Sequence, residues 1–203
     1  MRRRPRQGRS QQRVAAILDA AEQLYAEAGY EAVSTNEIAM RADTSIGSLY
    51  QFFPNKEAIL HGVAERYRAG FASLADGLLT IELAERPLPL LVDHLLETII
   101  NYGGQHIGMI CVMLQPSPSP LVAAATQPIT DDLRACIEQL LALYAPQLAT
   151  ERRSLTAEIC VTAMMALIAH AVTEKLAGRY ERTLAIFAEL RLLLVAYIRV
   201  VTE

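Results

Sequence analysis

Four small residues whose chemistry suits contact with a nucleic acid lie within five positions of the chain. Thr44, Ser45 and Ser48 carry hydroxyl groups that can donate hydrogen bonds to bases or phosphates, and Gly47 has no side chain. Side chains this small let a helix backbone come close to the edges of base pairs. Ile46 stands among them and could pack on a thymine methyl group. This pattern is typical of a helix that enters a DNA major groove by its first turn.

Two short helices joined by a tight turn are predicted to hold these residues. Ser34 or Thr35 can cap the first helix, and Thr44 or Ser45 can cap the second. Asp43 tolerates the turn conformation between them. Apolar residues recur at three- and four-residue steps along both helices. We expect three of them to be core residues and not DNA contacts: Ile38, Leu49 and Phe53.

The stretch from residue 34 to residue 57 resembles the DNA-binding signature of the tetracycline-repressor (TetR) family of bacterial transcription regulators. The residues that carry the resemblance are Thr35, Ile38, Ala39, Ala42, Ser45, Gly47, Leu49, Tyr50, Phe53, Pro54, Lys56 and Glu57. Asp43 stands where the family commonly has glycine. The resemblance implies an all-α fold, in which an N-terminal three-helix helix-turn-helix domain precedes a larger helical domain for ligand binding and dimerisation.

The resemblance also implies roles for residues around the second short helix. Thr35 and Tyr50 would bind backbone phosphates, and Gln51 would lie near the groove. Lys56, together with the start of the next helix, would clamp a phosphate. The alternative is that these side chains are ordinary caps and surface polar groups, and Gln51 could simply face solvent.

Positive charge is concentrated at the start of the chain. Six arginines precede the first acidic residue: Arg2, Arg3, Arg4, Arg6, Arg9 and Arg13. The whole chain has 19 basic and 22 acidic residues, so the remainder is acidic. A basic end on an acidic body indicates that only this end meets a polyanion. We interpret residues 1–9 as a flexible basic arm, which is either a groove contact or a solvated tail.

Helical periodicity continues through the 203 residues. Residues 10–56 are predicted to form the helix-turn-helix DNA-binding domain, and residues 57–203 the ligand-binding and dimerisation domain. A linking helix from about residue 55 to residue 79 would belong to both domains. Tilting its far end would therefore move the helix that contacts DNA.

Six adaptable or polar-tipped side chains are candidates for a ligand pocket in the second domain. Methionine suits irregular apolar cavities, and few cations lie in these helices, so a small apolar effector is favoured over a strongly anionic one. The candidates are Tyr102, His106, Met109, Met113, Met164 and His170. Taken singly, each fits an ordinary core or surface position better.

The last two predicted helices are apolar around most of their circumference, which indicates burial on more than one face. We expect a symmetric homodimer through a four-helix interface, with a purely intrachain core as the alternative. The candidate interface residues are Cys160, Ala163, Met164, Leu167, Phe187, Leu190, Leu194 and Tyr197.

Other classes of protein lack their usual signatures in this sequence. His61, His94, His106 and His170 are scattered, and neither a serine nucleophile elbow nor a glycine-rich phosphate loop occurs. We therefore expect no enzyme, no cofactor and no metal. The three cysteines lack metal-type spacing and are expected to be free thiols. Charges interrupt the apolar stretch 184–201, so we expect a soluble, cytoplasmic chain with no membrane partner.

Together these features predict a homodimeric transcription regulator, most often a repressor in the family it resembles. Two copies of the second short helix would enter successive major grooves of a palindromic double-stranded DNA operator. A small lipophilic ligand would release the protein from DNA. The alternative is a ligand-independent DNA-binding regulator or activator whose C-terminal core is fully packed.

Overall fold

Ten helices make up the secondary structure of the computed structural model, which describes residues 4–115 and 118–202. They are α1 (Arg4–Ala28), α2 (Thr35–Arg41), α3 (Ile46–Tyr50), α4 (Lys56–Leu78), α5 (Ile81–Ala84), α6 (Leu88–Gln105), α7 (Ile107–Met113), α8 (Pro120–Tyr144), α9 (Thr150–Leu176) and α10 (Tyr180–Thr202). No strand occurs among the described residues. The all-α prediction is confirmed, and α4 corresponds to the predicted linking helix.

The first helix begins earlier than the sequence indicates. A flexible arm through residue 9 and a helix from Ser10 are predicted, but α1 starts at Arg4. Proline is tolerated in the first turn of a helix, where Pro5 stands, and arginine is a good helix former. Residues 4–9 of the predicted arm therefore belong to α1, residues 1–3 lie outside the described residues, and the flexibility of the arm stays a prediction.

The chain divides into two compact units. Unit 1 comprises Met1–Ala69 and Gly103–Gln127, and unit 2 comprises Gly70–Tyr102 and Pro128–Glu203. This division differs from the domains predicted from the sequence, because α7 packs against α1 and so joins the N-terminal helices. Helices α4, α6 and α8 each contribute residues to both units.

The core of unit 1 is built on one side of α1. Ile17, Ala21 and Tyr25 are fully buried there, and they recur at four-residue steps. Ile38, Leu49 and Phe53 are buried as well, which confirms the prediction that these three are core residues. Burying this apolar stripe stabilises the short helices α2 and α3, which are too short to be stable alone.

The hydroxyl group of Tyr25 is buried in unit 1 without a hydrogen-bond partner among the described residues. An unsatisfied buried hydroxyl destabilises the folded state, so Tyr25→Phe should raise the free energy of unfolding by about 1 kcal/mol. Urea denaturation measures this change. Tyr180→Phe, which removes a hydroxyl from a side chain that is 64% exposed, is the control and should change stability by less than about 0.5 kcal/mol. A Tyr25→Phe variant that is less stable than the wild type would contradict the prediction.

The same phenol predicts a pH dependence. Burial raises the pKa of Tyr25 above its ordinary value of 10.0. The folded state binds the phenol proton more tightly than the unfolded state does. The free energy of unfolding therefore falls as pH rises above the pKa that Tyr25 has in the unfolded state. Tyr25→Phe should therefore lose less stability than the wild type above pH 10.

Unit 2 is organised around the hairpin of α9 and α10. Gly178, with φ 75°, closes the turn between them. The buried carboxylate of Glu174 accepts hydrogen bonds from Arg179, which hold the pKa of that carboxyl below its usual value. Arg191 of α10 donates to Asp93 of α6. These contacts tie the start of α10 to α9 and its middle to α6.

Candidate nucleic-acid interface

The residues predicted to contact DNA lie on the outside of unit 1. Ser45, Gly47 and Gln51 are exposed, whereas Thr44 and Ser48 are half-buried. On the same helix Ile46 is 37% exposed and Tyr50 is 48% exposed, while Leu49 points into the core and is 0% exposed. Helix α3 therefore presents its small and hydroxyl-bearing side to solvent. This is the arrangement that a major-groove contact requires.

Local hydrogen bonds define the turn between α2 and α3. The amide of Asp43 donates to the carbonyl of Met40 at 3.2 Å, and the amide of Thr44 donates to the carbonyl of Ala39 at 3.0 Å. Asp43 itself has φ 48°, in the left-handed region. Aspartate adopts this region more readily than most residues, so it can replace the glycine that such a turn often uses.

The starts of the helices in this region are capped by side chains. Ser34 and Glu37 form a capping box at α2, and the hydroxyl of Ser34 holds the pKa of Glu37 below its usual value. Ser45 accepts a hydrogen bond from the amide of Ser48 at 3.2 Å, so it caps α3. Asn55 caps α4 by accepting from the amide of Ala58 at 2.8 Å. The predicted helix starts in this segment are therefore set by local sequence.

Two of the predicted phosphate contacts lie side by side. The hydroxyl oxygens of Thr35 and Tyr50 are 3.0 Å apart, at the first residue of α2 and the last residue of α3. Paired hydroxyls near solvent can donate to phosphate oxygens, and here they join the two helices before any DNA is bound. A guanidinium nitrogen of Arg13 also donates to the hydroxyl of Ser48 at 3.4 Å, which places an exposed cation beside α3.

Lys56 has different partners from the predicted phosphate. Its ammonium group donates to the backbone carbonyls of Tyr30, Glu31 and Val33 at 2.9, 3.2 and 3.0 Å. The nitrogen also lies 4.2 Å from the centroid of the Tyr30 ring. An ammonium group has three donors, and all three are used by these carbonyls. Lys56 therefore fixes the loop between α1 and α2, and its contact with a phosphate stays a prediction.

Replacing this ammonium group should be destabilising. Lys56→Met keeps the aliphatic chain but removes three charge-assisted hydrogen bonds, so we expect a loss of about 2 kcal/mol in the free energy of unfolding. Urea denaturation measures the loss. The exposed Lys175, replaced by methionine in the same way, is the matched control and should change stability by less than about 0.5 kcal/mol. If the two variants were equally stable, the hydrogen bonds from Lys56 to the three carbonyls would contribute nothing to the free energy of unfolding.

A polar network that the sequence does not predict connects α1, α4 and the residue before α7. Arg66 donates to Asp19 and to Glu22, and Nδ1 of His106 lies 3.0 Å from the other oxygen of Glu22. The ring of His106 also meets the ring of Tyr67 edge-on, with centroids 5.5 Å apart. The spacing of Asp19 and Glu22 puts both carboxylates on one side of α1, but only the fold brings their partners to them.

The six candidate ligand residues are divided between the two units. His106, Met109 and Met113 belong to unit 1, where His106 is bound to Glu22 and Met109 is fully buried. Met164 is fully buried in unit 2, and His170 is exposed there. The sixth, Tyr102, is buried on α6 in unit 2. The assignment of these six residues to a ligand pocket stays a prediction.

Two family models match the chain. Residues 17–63 match the model described as bacterial regulatory proteins, tetR family. Residues 87–198, more than half of the chain, match the model described as tetracyclin repressor-like, C-terminal domain. The chain belongs to the TetR family. Its members are DNA-binding transcription regulators, which agrees with the regulator predicted from the sequence.

The curated relatives match this chain over a short segment only. The HTH-type transcriptional repressor KstR of Rhodococcus jostii is 48% identical over 44 residues, which are 22% of this chain and 21% of KstR. This chain therefore spans about a fifth of the length of the curated relatives that it matches.

Solved structures agree with the TetR fold over nearly the whole chain. The fatty acid degradation regulator FadR from Bacillus halodurans has a TM-score of 0.69 at 17% identity, covering 96% of this chain and 97% of FadR. SmeT, the repressor of the Stenotrophomonas maltophilia multidrug efflux pump SmeDEF, has a TM-score of 0.66 at 19% identity, covering 94% and 90%. A complex of SmeT with triclosan has a TM-score of 0.62 at 20% identity, covering 85% and 90%. At sequence identities of 20% or less, these structures show a shared fold and no more than that.

Helix α9 of this TetR-family chain is long and apolar enough to cross a membrane by length and composition alone. Its residues Cys160, Val161 and Met164 are buried within unit 2, and α9 packs along α10. An apolar helix in a protein core passes the same test as a membrane span, so this property of α9 is weak evidence for a membrane helix.

Four of the eight candidate dimer residues lie inside unit 2. Cys160, Met164, Leu190 and Leu194 are at most 2% exposed, so they contribute to the core of the unit. The other four are half-buried: Ala163, Leu167, Phe187 and Tyr197. The large exposed apolar residues of α9 and α10 are Leu155, Ile159, Leu176, Tyr180, Leu184, Leu192, Leu193 and Val200. Apolar residues therefore lie on both sides of these helices, and the dimer interface stays a prediction.

Proposed function

We propose that this TetR-family protein is a DNA-binding transcriptional repressor that binds a palindromic operator as a homodimer and is released by a small lipophilic ligand. The observation that carries the proposal is the exposed side of α3, where Ser45, Gly47 and Gln51 face solvent while Leu49 is buried. The adjacent hydroxyl pair of Thr35 and Tyr50 supports binding to backbone phosphates.

The proposed dimer uses the exposed apolar side of α9 and α10. Leu192, Leu193 and Val200 lie within about 100° of one another around α10, and Leu155 and Ile159 are one turn apart on α9. Apolar area of this extent on two neighbouring helices is typical of a surface that a second copy covers. The resulting dimer would present two copies of α3 about 34 Å apart, as successive major grooves require.

This interface has a direct test. Leu192→Glu places a charge on the proposed interface and should convert the dimer to a monomer in sedimentation experiments. Leu90→Glu is the control, since Leu90 of α6 is also exposed but lies outside α9 and α10. A Leu192→Glu variant that stays dimeric would place the interface elsewhere.

The proposed effector class follows from composition and from the similar proteins. FadR is described as a fatty acid degradation regulator, and SmeT forms a complex with triclosan, so this fold accommodates apolar compounds. Ligand binding would move α6 and tilt α4, whose first residue follows the helix-turn-helix segment. The second candidate is a ligand-independent regulator, which the full burial of Met109 and Met164 favours.

Selection from a pool of random duplex DNA tests the central proposal. The wild-type protein should enrich a palindromic sequence, and its affinity for that fragment should fall steeply as salt rises, because phosphate contacts release counterions. Tyr50→Phe and Gln51→Ala should weaken binding without a change in the unfolding midpoint. Failure of the folded dimer to enrich any sequence would contradict the proposal.

Thermal denaturation with dodecanoic acid or triclosan tests the effector class. An apolar ligand of the folded state should raise the melting temperature and release the enriched DNA fragment. Citrate, a small and strongly anionic compound, is the control and should do neither. No stabilisation by any apolar compound would favour the ligand-independent alternative.

A further inference from the structure

Three glycines interrupt α4, although glycine destabilises a helix interior relative to alanine. They differ in their surroundings. A Cβ atom added at Gly77 would have no neighbour within 4 Å, whereas at Gly62 it would lie 2.9 Å from Leu18 and 3.0 Å from Phe53. Gly70 has the closest neighbour of the three. Position 70 therefore has a packing reason to lack a side chain.

That neighbour is the side chain of Tyr102 on α6, within unit 2. A Cβ atom at position 70 would lie 2.2 Å from the Tyr102 hydroxyl oxygen, and 3.1 and 3.3 Å from two ring carbons. Tyr102 is buried, and the ring of Phe71 lies beside it with centroids 6.5 Å apart. The tyrosine ring is thus enclosed by side chains and ends against the backbone of α4.

We propose that Tyr102 is the residue through which α6 positions α4, by direct contact of its ring with the backbone at Gly70. The inference rests on the proposed function, because it assigns a role in transmitting the ligand-bound state. Tyr102 was a candidate ligand residue, and its packing gives it a positioning role toward α4. Close-packed groups shift together and do not deform gradually, so a displacement of this ring must displace either the side chain of Phe71 or the backbone of α4 at Gly70.

Gly70→Ala tests the inference without an effector. The added methyl group should push Tyr102 and α4 apart and lower the affinity for the enriched DNA fragment by about 5- to 150-fold, the usual range of coupling between sites. Tyr102→Phe in the same chain removes the oxygen at 2.2 Å and should restore most of the lost affinity. Gly77→Ala is the matched control on the same helix and should bind DNA as the wild type does.

The outcomes separate this inference from the proposed function. If the wild type and Gly77→Ala enrich no DNA sequence, the proposed function fails. If both bind and the folded Gly70→Ala variant binds equally well, Tyr102 does not position α4 and the inference fails. If the Gly70→Ala variant does not fold, Tyr102→Trp is the second test. It enlarges the ring at position 102 and leaves the sequence of α4 as in the wild type. It should cause the same loss of affinity, and wild-type binding by that variant would also overturn the inference.

Discussion

Gly108→Ala is expected to lower the free energy of unfolding by about 3 kcal/mol, because α7 packs directly against the backbone of α1. A Cβ atom at position 108 would lie 1.9 Å from the carbonyl oxygen of Glu22 and 2.7 Å from its carbonyl carbon. Backbone atoms inside a helix cannot rotate away as a side chain can. The methyl group must therefore separate α7 from α1, where Met109 and Val112 are fully buried.

Gly104→Ala is the matched control for this prediction. Gly104 lies in α6, and a Cβ atom there would have no neighbour within 4 Å. Alanine favours a helix more than glycine, so this variant should gain about 0.5 kcal/mol. Urea denaturation of both variants measures the difference. A Gly108→Ala variant as stable as the wild type would mean that α7 does not hold this position against α1.

The packing of α7 against α1 places α7 in the same compact unit as the helix-turn-helix segment. The segment from Gly103 to Gln127 belongs to unit 1 together with α1, α2 and α3. The network of Glu22, Arg66 and His106 adds polar contacts to the apolar ones. A variant that loosens α7 should therefore weaken DNA binding as well as stability, because α1 supports α2 and α3.

Leu49→Ala is expected to cost about 2 to 5 kcal/mol and to abolish DNA binding through loss of structure. Leu49 is 0% exposed and lies on the inner side of α3, so its truncation leaves a cavity beneath the helix. Five residues of helix cannot persist without that support. Thermal denaturation and binding to the enriched DNA fragment should both report the loss.

Two variants distinguish this loss of structure from a loss of contact. Met40→Ala truncates a large apolar residue that is 78% exposed, and it should change stability by less than about 0.5 kcal/mol. Tyr50→Phe removes one hydroxyl of the pair with Thr35 and should weaken DNA binding at unchanged stability. The assignment of Leu49 to the core would be wrong if Leu49→Ala kept the stability of the wild type but lost DNA binding.

The helix-turn-helix segment could be predicted because its determinants are local. Ser34, Ser45 and Asn55 cap helices through amides three residues away, and Asp43 forms the turn between α2 and α3 by its own backbone conformation. Apolar spacing then separates the buried side, with Leu49, from the exposed side.

The roles of Lys56 and His106 could not be predicted, because their partners are distant in the sequence. Lys56 donates to carbonyls that lie more than 20 residues earlier, and His106 contacts Glu22 of α1 across 84 positions. The type of a charged or polar residue indicates which groups it can bind. Its position in the sequence does not indicate which of those groups lies next to it in the folded protein.

The sequence alone determined the all-α class, the family and the exposed side of α3, since caps and apolar spacing act within a few residues. Only the tertiary structure decided which side of α9 and α10 faces inward. Both sides of these helices are apolar, so the spacing of apolar residues predicts that the helices are buried but does not show which side faces the core. Packing of α9 on α10 buries Met164, Leu190 and Leu194 and leaves Leu184 and Leu192 exposed. That choice depends on contacts between residues far apart in the chain, which local patterns do not encode.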